Sequence, residues 1–467
     1  MIVMKFGGTS LGDAGAFLAA RDRIRERWYR APVVVASASS GVTSSLLAAI
    51  SEAAAGSLTR AVEIITGLSS RHQCIAEEVL SPRTRDGFLS CVAGDCRTLK
   101  GILGTVADAR TAPSQSVDRV ASVGEQWSST LLHALLVDSD IPAELVPATE
   151  LLITDDQFTR ANPDIDESSR RIRSRIASFR THVIVTQGFI GSTAGGRVTT
   201  IGRGGSDFSA AIIGSALDAE EIEIWKDVNG VLSADPAVVP DAVPISDMTY
   251  EEHVELSHYG AKVLHPSTFL PAKLKEIPLR VLNSSDPTFP GTVIRAERAG
   301  DVIGRITSIT SRRGTSVVSL PGRRDSTRRT LAAELIHGLA ARGREIEFLV
   351  SSEAGVSFVS DAGEEDLASL GHLTGGGQIS LRNHRAMVCL VGDRIRKRRD
   401  VGSDAYAALA KAGITIDHVF DGVSEHSLVL LLDEDRAADA VRILHRTFFG
   451  ATVSRAPLSD VTAGAAV

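Results

Sequence analysis

The chain alternates short apolar runs with longer stretches whose apolar positions recur every third or fourth residue. Up to about residue 295, six runs read as buried strands: Ile2 to Phe6, Val33 to Ser37, Ala143 to Pro147, Val183 to Phe189, Ile222 to Trp225 and Leu279 to Asn283. Strands that are apolar throughout and alternate with amphipathic helices predict an α/β fold, a mainly parallel sheet covered by helices on both faces. Residues 58–109 are mostly helical by spacing and read as an insertion between strands. Beyond about Thr292 the pattern changes to a weak internal repeat. The first copy has strand Ser316 to Leu320, helix Thr330 to Arg342, strands Glu345 to Ser351 and Val356 to Ser360, and a short helix near Glu364 to Leu370. The second has strand Ala386 to Val391, helix Asp404 to Ala412, strands Ile414 to Phe420 and Ser427 to Leu432, and helix Arg436 to Phe448. Each copy reads βαββα with room for a final strand, a ferredoxin-like βαββαβ unit. The expected divisions are 1–295, 296–384 and 385–467.

Composition narrows the class without changing this picture. A chain of 467 residues exceeds one ordinary core, and 43% hydrophobic with 23% charged residues is usual for a globular protein. The net charge of −7 offers no basic surface for nucleic acid or an anionic membrane. Two arginine-rich runs, Arg323-Arg324 with Arg328-Arg329 and Arg394 to Arg399, lack interleaved aromatics and read as solvated loops. Cys74, Cys91, Cys96 and Cys389 form no CxxC pair and read as reduced thiols. There is no basic-then-apolar leader and no apolar run of membrane-spanning length, so the expected location is cytoplasmic.

The candidate chemistry lies at strand ends, where ligands bind in sheets of this kind. The first strand breaks into Lys5-Phe6-Gly7-Gly8-Thr9-Ser10: a cation, glycines for close backbone approach, then hydroxyls. This is not a Walker loop, because the lysine precedes the glycines and sits on the strand. A second glycine-rich segment, Gly202-Arg203-Gly204-Gly205-Ser206-Asp207, follows a hairpin at 197–201 and opens an apolar helix, with Ser206 or Asp207 as candidate N-cap. Arg203 suits a carboxylate. Two such loops suggest a polyphosphate beside a small acid. Ser37-Ala38-Ser39-Ser40-Gly41-Val42-Thr43 is neutral and hydroxyl-rich, and Tyr259-Gly260-Ala261-Lys262-Val263-Leu264-His265-Pro266 holds a second lysine after a glycine.

In order, these segments resemble the amino-acid kinase family, and within it the aspartate kinases. Val123-Gly124-Glu125, Thr186-Gln187-Gly188-Phe189-Ile190-Gly191, Ile224 to Val231 and Asp235-Pro236 extend the resemblance over essentially the whole chain. It implies a catalytic domain at 1–295 and paired ACT modules at 296–384 and 385–467, one inserted within the other in this family. The implied reaction is phosphorylation of L-aspartate by ATP to 4-phospho-L-aspartate, the first step toward lysine, threonine and methionine. Lys5, Asp207 and Lys262 are then the catalytic residues. ATP falls to Lys5, Phe6, Gly7, Gly8, Gly204, Gly205, Lys226, Asp227, Leu232, Lys262 and Val263, and aspartate to Ser37, Thr43, Glu125, Phe189, Arg203 and Ser206. Gly7, Gly8, Gly204 and Gly205 are expected to offer backbone amides to phosphate. Magnesium is expected on the ATP phosphates and water. His265 and Trp225 are expected to be structural.

The chain departs from the family at three nucleotide-site positions. Lys226 replaces a usual threonine, Leu232 a tyrosine and Ala237 an arginine. In the first module the turn Asp325 to Leu331 lacks the usual glycine, whereas Gly402 precedes the helix of the second. Weak or absent inhibition by lysine is therefore expected, with threonine open, in a homodimer joined through the ACT modules. The alternatives are a kinase for another small acid and a catalytically weak amino-acid sensor.

Overall fold

The computed structural model describes residues 1–176, 182–261, 264, 266–298, 304–321, 327–353, 355–370, 379–420 and 424–453. The chain divides into two units that interleave in sequence. One holds Met1–Val231, Pro244–Tyr250 and Val263–Ala299, and the other Leu232–Val243, Glu251–Lys262 and Gly300–Val467.

In the first unit, β1 (Ile2–Phe6), β2 (Pro32–Ala36), β3 (Ala143–Leu145), β4 (Val183–Gln187), β5 (Ile222–Lys226), β6 (Asp247–Thr249), β7 (Leu279–Asn283) and β8 (Thr292–Arg295) form one sheet. Its order is β6-β8-β7-β5-β1-β2-β4-β3. Every neighbouring pair is parallel except β7 with β8. The six strands read from the sequence are all present. The short strands β6 and β8, together at one end of the sheet, are additions, too brief for periodicity to register.

Alternation decides what each strand residue meets. Ile2, Met4, Phe6, Val34 and Ala36 join the core packed by helices Ala14–Glu26, Val42–Ala54 and Val123–Asp138. On the opposite face, helix Gly205–Ala216 lies close enough that a Cβ on Gly214 would sit 2.5 Å from Ile222. Phe6 stands opposite Ala36 and Trp225, and Ala36 opposite Gln187, so the strands end level and their loops leave one edge together. The helical insertion is two helices, Leu58–Val79 and Pro82–Ala109, separated just before the proline.

In the second unit, β9 (Ile306–Pro321), β10 (Ile346–Ser352), β11 (Gly355–Ser360), β12 (Ser380–Gly392), β13 (Ile416–Phe420) and β14 (Ser427–Asp433) form an antiparallel sheet in the order β10-β11-β9-β12-β14-β13. The long strands β9 and β12 each serve both modules. Val317 to Ser319 pair with Ser380 to Arg382 in the first, and Ile306 to Arg312 pair with Met387 to Gly392 in the second. The final strand of the second module therefore comes from upstream, and the first module is threaded into it. Their cores are separate. Val318, Leu335, Leu339 and Phe358 centre one. Ile309, Val388, Leu409, Leu430 and Leu444 centre the other. The sheet curls until Phe348 and Phe420, on its two edge strands, stack with centroids 4.0 Å apart.

Helix Asp400–Lys411 begins a turn earlier than its expected start at Asp404. Gly402 is thus inside the helix rather than in a turn before it, which corrects the reading of that glycine. The turn Asp325 to Leu331 falls outside the described residues, apart from the backbone of helix Thr327–Ala340. Among the described residues no helix is long and apolar enough to cross a membrane.

Candidate active site

Lys5 shares the β1 face of Val3, which meets helix Gly205–Ala216. Asp207 lies in the first turn of that helix, and its Oδ1 is 2.6 Å from Lys5 Nζ, with side chains 13% and 7% exposed. The helix is capped by Gly204 at φ +76°, a left-handed conformation that favours glycine, with no side-chain cap bond. This corrects the expected capping by Ser206 or Asp207: Asp207 is turned to Lys5 instead. Burial alone would raise the Asp207 carboxyl, but the charges of Lys5 and Lys226 outweigh it and hold the group below its ordinary range. Lys226 ends β5, and its ammonium is pushed down by burial and by Lys5, against Asp207 and Asp227.

Glu125 faces this pair from the first turn of helix Val123–Asp138. A Cβ on Gly124 would lie 2.8 Å from that of Ala38, so glycine lets the helix start against the hydroxyl-rich loop after β2. Glu125 is 3% exposed. Burial pushes its carboxyl up to about 8, against the amides of Ala38 and Glu125 itself and the charge of Lys5. Its Oε2 has no hydrogen-bond partner among the described residues. A buried, unpartnered carboxylate oxygen is a place for a ligand cation.

Lys5, Ser37, Thr43, Glu125, Phe189, Arg203, Gly204, Gly205, Ser206 and Asp207 line one cleft of about 460 Å³. Arg203 is exposed and Thr43 half-buried. Phe189 adopts φ +65° and gives its N–H to Ser209 Oγ at 3.1 Å, which is why β4 ends before it. Other expected site residues are placed differently. The Phe6 ring is in the core against Trp225, centroids 6.0 Å apart, leaving only its backbone to a ligand. The Gly7 amide is committed to the Trp225 carbonyl at 3.0 Å and that of Gly205 to Gly202 at 3.0 Å, which corrects their expected role as phosphate donors. Asp227 is exposed beyond β5. Leu232 belongs to the second unit. Lys262, Val263 and His265 lie outside the described residues. No cluster of three metal-ligating side chains occurs among the described residues.

Three residues near these loops were not singled out from the sequence. Ser39 is buried with its Oγ unpartnered, and only the hydroxyl-rich composition of its loop hinted at it. Asp118 is wholly buried and lines the cleft. Arg71, on the helical insertion, donates to the carbonyls of Ser40 and Gly12, each at 2.7 Å. No local motif marks these last two.

A doubly covered sheet whose strand-borne lysine meets an acid over glycine-rich loops defines an α/β ligand-binding site outside the Walker-loop class. The chain belongs to the amino acid kinase family, in its aspartokinase branch: that family's profile matches residues 1–283, and an ACT domain profile matches 388–448. The bifunctional aspartokinase/homoserine dehydrogenase 2 of Zea mays is 30% identical over 466 residues, covering 96% of this chain and 50% of that protein. The chain thus spans about half the length of that relative. The lysine-sensitive aspartokinase 3 of Escherichia coli is 30% identical over 460 residues, with 96% of this chain and 99% of that one covered. The crystal structure of E. coli aspartokinase III in complex with aspartate and ADP superposes with a TM-score of 0.80 at 29% identity, covering 96% of this chain and all of that one.

Proposed function

We propose that this chain transfers the γ-phosphoryl group of ATP to the side-chain carboxylate of L-aspartate, giving ADP and 4-phospho-L-aspartate. The observation that carries the reading is the cleft: a buried Lys5–Asp207 pair faces Glu125, whose Oε2 is unpartnered, with Arg203 on the same wall. The ligands of the E. coli structure support the choice of substrates. A carboxylate is already ionised near neutral pH, so the attack needs no general base. One carboxylate oxygen bonds to the γ-phosphorus, the bond to the β–γ bridging oxygen breaks, and ADP leaves. Lys5 neutralises charge on the phosphoryl oxygens, and Asp207 holds Lys5 in place. Lys262 is the second cation of the proposal, and Val263, Leu232 and Lys226 belong to its nucleotide side. Arg203 takes the α-carboxylate, Glu125 the α-ammonium, and Ser37 and Thr43 the reacting carboxylate, beside Phe189 and Ser206. Magnesium on the ATP phosphates would neutralise their charge, and the Asp207 carboxylate would be the side chain available to its water shell.

The same proposal includes a cytoplasmic homodimer joined through the second unit. Leu349 and Val350 on edge strand β10 are 50% and 56% exposed, an edge that a second copy would cover. It also includes an amino-acid effector, lysine or threonine; the E. coli relative is named lysine-sensitive.

The test is trapping of the acyl phosphate by hydroxylamine with ATP and a panel of acids. Hydroxamate from L-aspartate supports the reading. Hydroxamate only from another acid moves the substrate, and none from any acid marks a sensor rather than a kinase.

A further inference from the structure

Asp118 is a buried carboxylate for which the reaction has no use. It lies on the short helix Ser114–Ala121, is wholly buried, and has no ion-pair partner among the described residues. Instead its oxygens collect backbone and hydroxyl donors from two other parts of the cleft wall. The Thr159 N–H reaches Oδ1 at 2.9 Å and Oδ2 at 3.0 Å. The Thr200 N–H donates to Oδ2 at 3.0 Å and the Thr200 hydroxyl to Oδ1 at 2.7 Å. Bonds to an ionised acceptor are stronger than neutral ones and resist rearrangement where water is absent.

Each partner leads to a substrate-facing group. Thr200 ends its strand three residues before Arg203. Thr159 holds φ +72°, a left-handed conformation that a β-branched residue adopts only under constraint, and it lines the cleft with Thr200 and Arg203. Asp118 itself stands seven residues before Glu125, and its carbonyl accepts the N–H of Ser122, at the entry to Glu125's helix.

We propose that Asp118 is a positioning residue that sets the span between Glu125 and Arg203, and so selects the length of the amino acid that bridges them. This rests on the reading that the cleft takes a small amino acid by its ammonium and carboxylate. The carboxylate touches no reacting atom; it joins the helix that leads to Glu125, the 155–162 loop and the strand that leads to Arg203. Replacing it by an amide turns one acceptor into a donor facing N–H and O–H groups that are themselves donors. The wall then loosens, and ends that were held at one separation sample several.

The experiment is steady-state kinetics of Asp118→Asn with L-aspartate and L-glutamate, alongside the Michaelis constant for ATP. The Michaelis constant for L-aspartate is expected to rise about tenfold or more. That for ATP should stay unchanged, and the preference for aspartate over glutamate should narrow. Adding Thr159→Gly to Asp118→Asn is expected to recover part of the loss, because glycine holds a positive φ without the carboxylate. If Asp118→Asn does not fold, Thr200→Val removes the hydroxyl donor alone and should raise the aspartate constant severalfold at an unchanged melting temperature. An unchanged aspartate constant in a folded variant, or equal losses for aspartate and ATP, overturns the proposal. A native chain that phosphorylates no small acid instead overturns the reading on which it rests.

Discussion

On the proposed reading, Glu125 couples substrate recognition to pH. In the empty cleft its carboxyl titrates near 8, so at neutral pH most molecules hold it protonated, while only the ionised form pairs with an ammonium. Affinity for L-aspartate should therefore rise about tenfold per pH unit between pH 6 and 8 and then level. Titration calorimetry at pH 7 in two buffers of different ionisation enthalpy should show a proton released on binding. An affinity independent of pH over that range would count against the assignment. The same shift has a stability sign. The folded value of about 8 lies above the ordinary 4.5, so the native state holds a proton that the unfolded chain has lost. Stability of the ligand-free protein thus falls as pH rises through that window, by about 1.4 kcal/mol per unit. Glu125→Gln removes this dependence and should raise the melting temperature at pH 8 while weakening aspartate binding. For the partner pair, Lys5→Ala should lower the turnover number by two to three decades, about 3–4 kcal/mol of transition-state charge stabilisation, with a smaller change in the aspartate Michaelis constant. Turnover at the native rate would remove Lys5 from the chemistry. Lys5, Glu125, Arg203 and Asp207 were legible because each sits within three residues of a glycine that local structure requires. Asp118 and Arg71 were not, because their partners are 41 and 82, and 31 and 59, residues away.

At the scale of elements, apolar runs identified the strands and β-αβ alternation their parallel pairing. Their last residues were harder, since β2 and β4 stop where the chain turns to build the cleft, at Ala36 and Gln187. The helical insertion carried no motif, yet helix Leu58–Val79 delivers Arg71 to the loops after β1 and β2 at once. Those loops are also tied by the Ser40 N–H to the Gly8 carbonyl at 2.9 Å. One guanidinium spanning two carbonyls fixes the loop after β1 against the hydroxyl-rich loop after β2. Arg71→Met should raise the Michaelis constants for both ATP and aspartate roughly threefold to tenfold. Millimolar guanidinium ion should restore part of both. A variant with native constants would reduce the insertion to a packing element.

For the whole molecule, the repeat revealed two modules, but not that strands β9 and β12 are common to both. A linear pattern cannot display a final strand that lies upstream of its module. Edge strand β10, with Leu349 and Val350 exposed, leads us to expect a dimer at micromolar concentration by light scattering. Val350→Lys should shift it toward monomer, and a native monomer would contradict this use of the edge. Activity against rising lysine and threonine, separately and together, tests the expected weak response to lysine; half-inhibition below a millimolar would reverse it. The threading of one module into the other has a consequence for how such chains diversify. The inner module leaves β9 and returns on β12 where Thr315 faces Arg385, so its entry and exit lie side by side. It behaves as a cassette on a two-stranded stem, removable or replaceable with a short turn in its place while the outer ladder from Ile306 to Arg312 remains paired. On the proposed reading, a lineage could exchange the amino-acid effector by swapping this cassette, leaving the loops after β1 untouched.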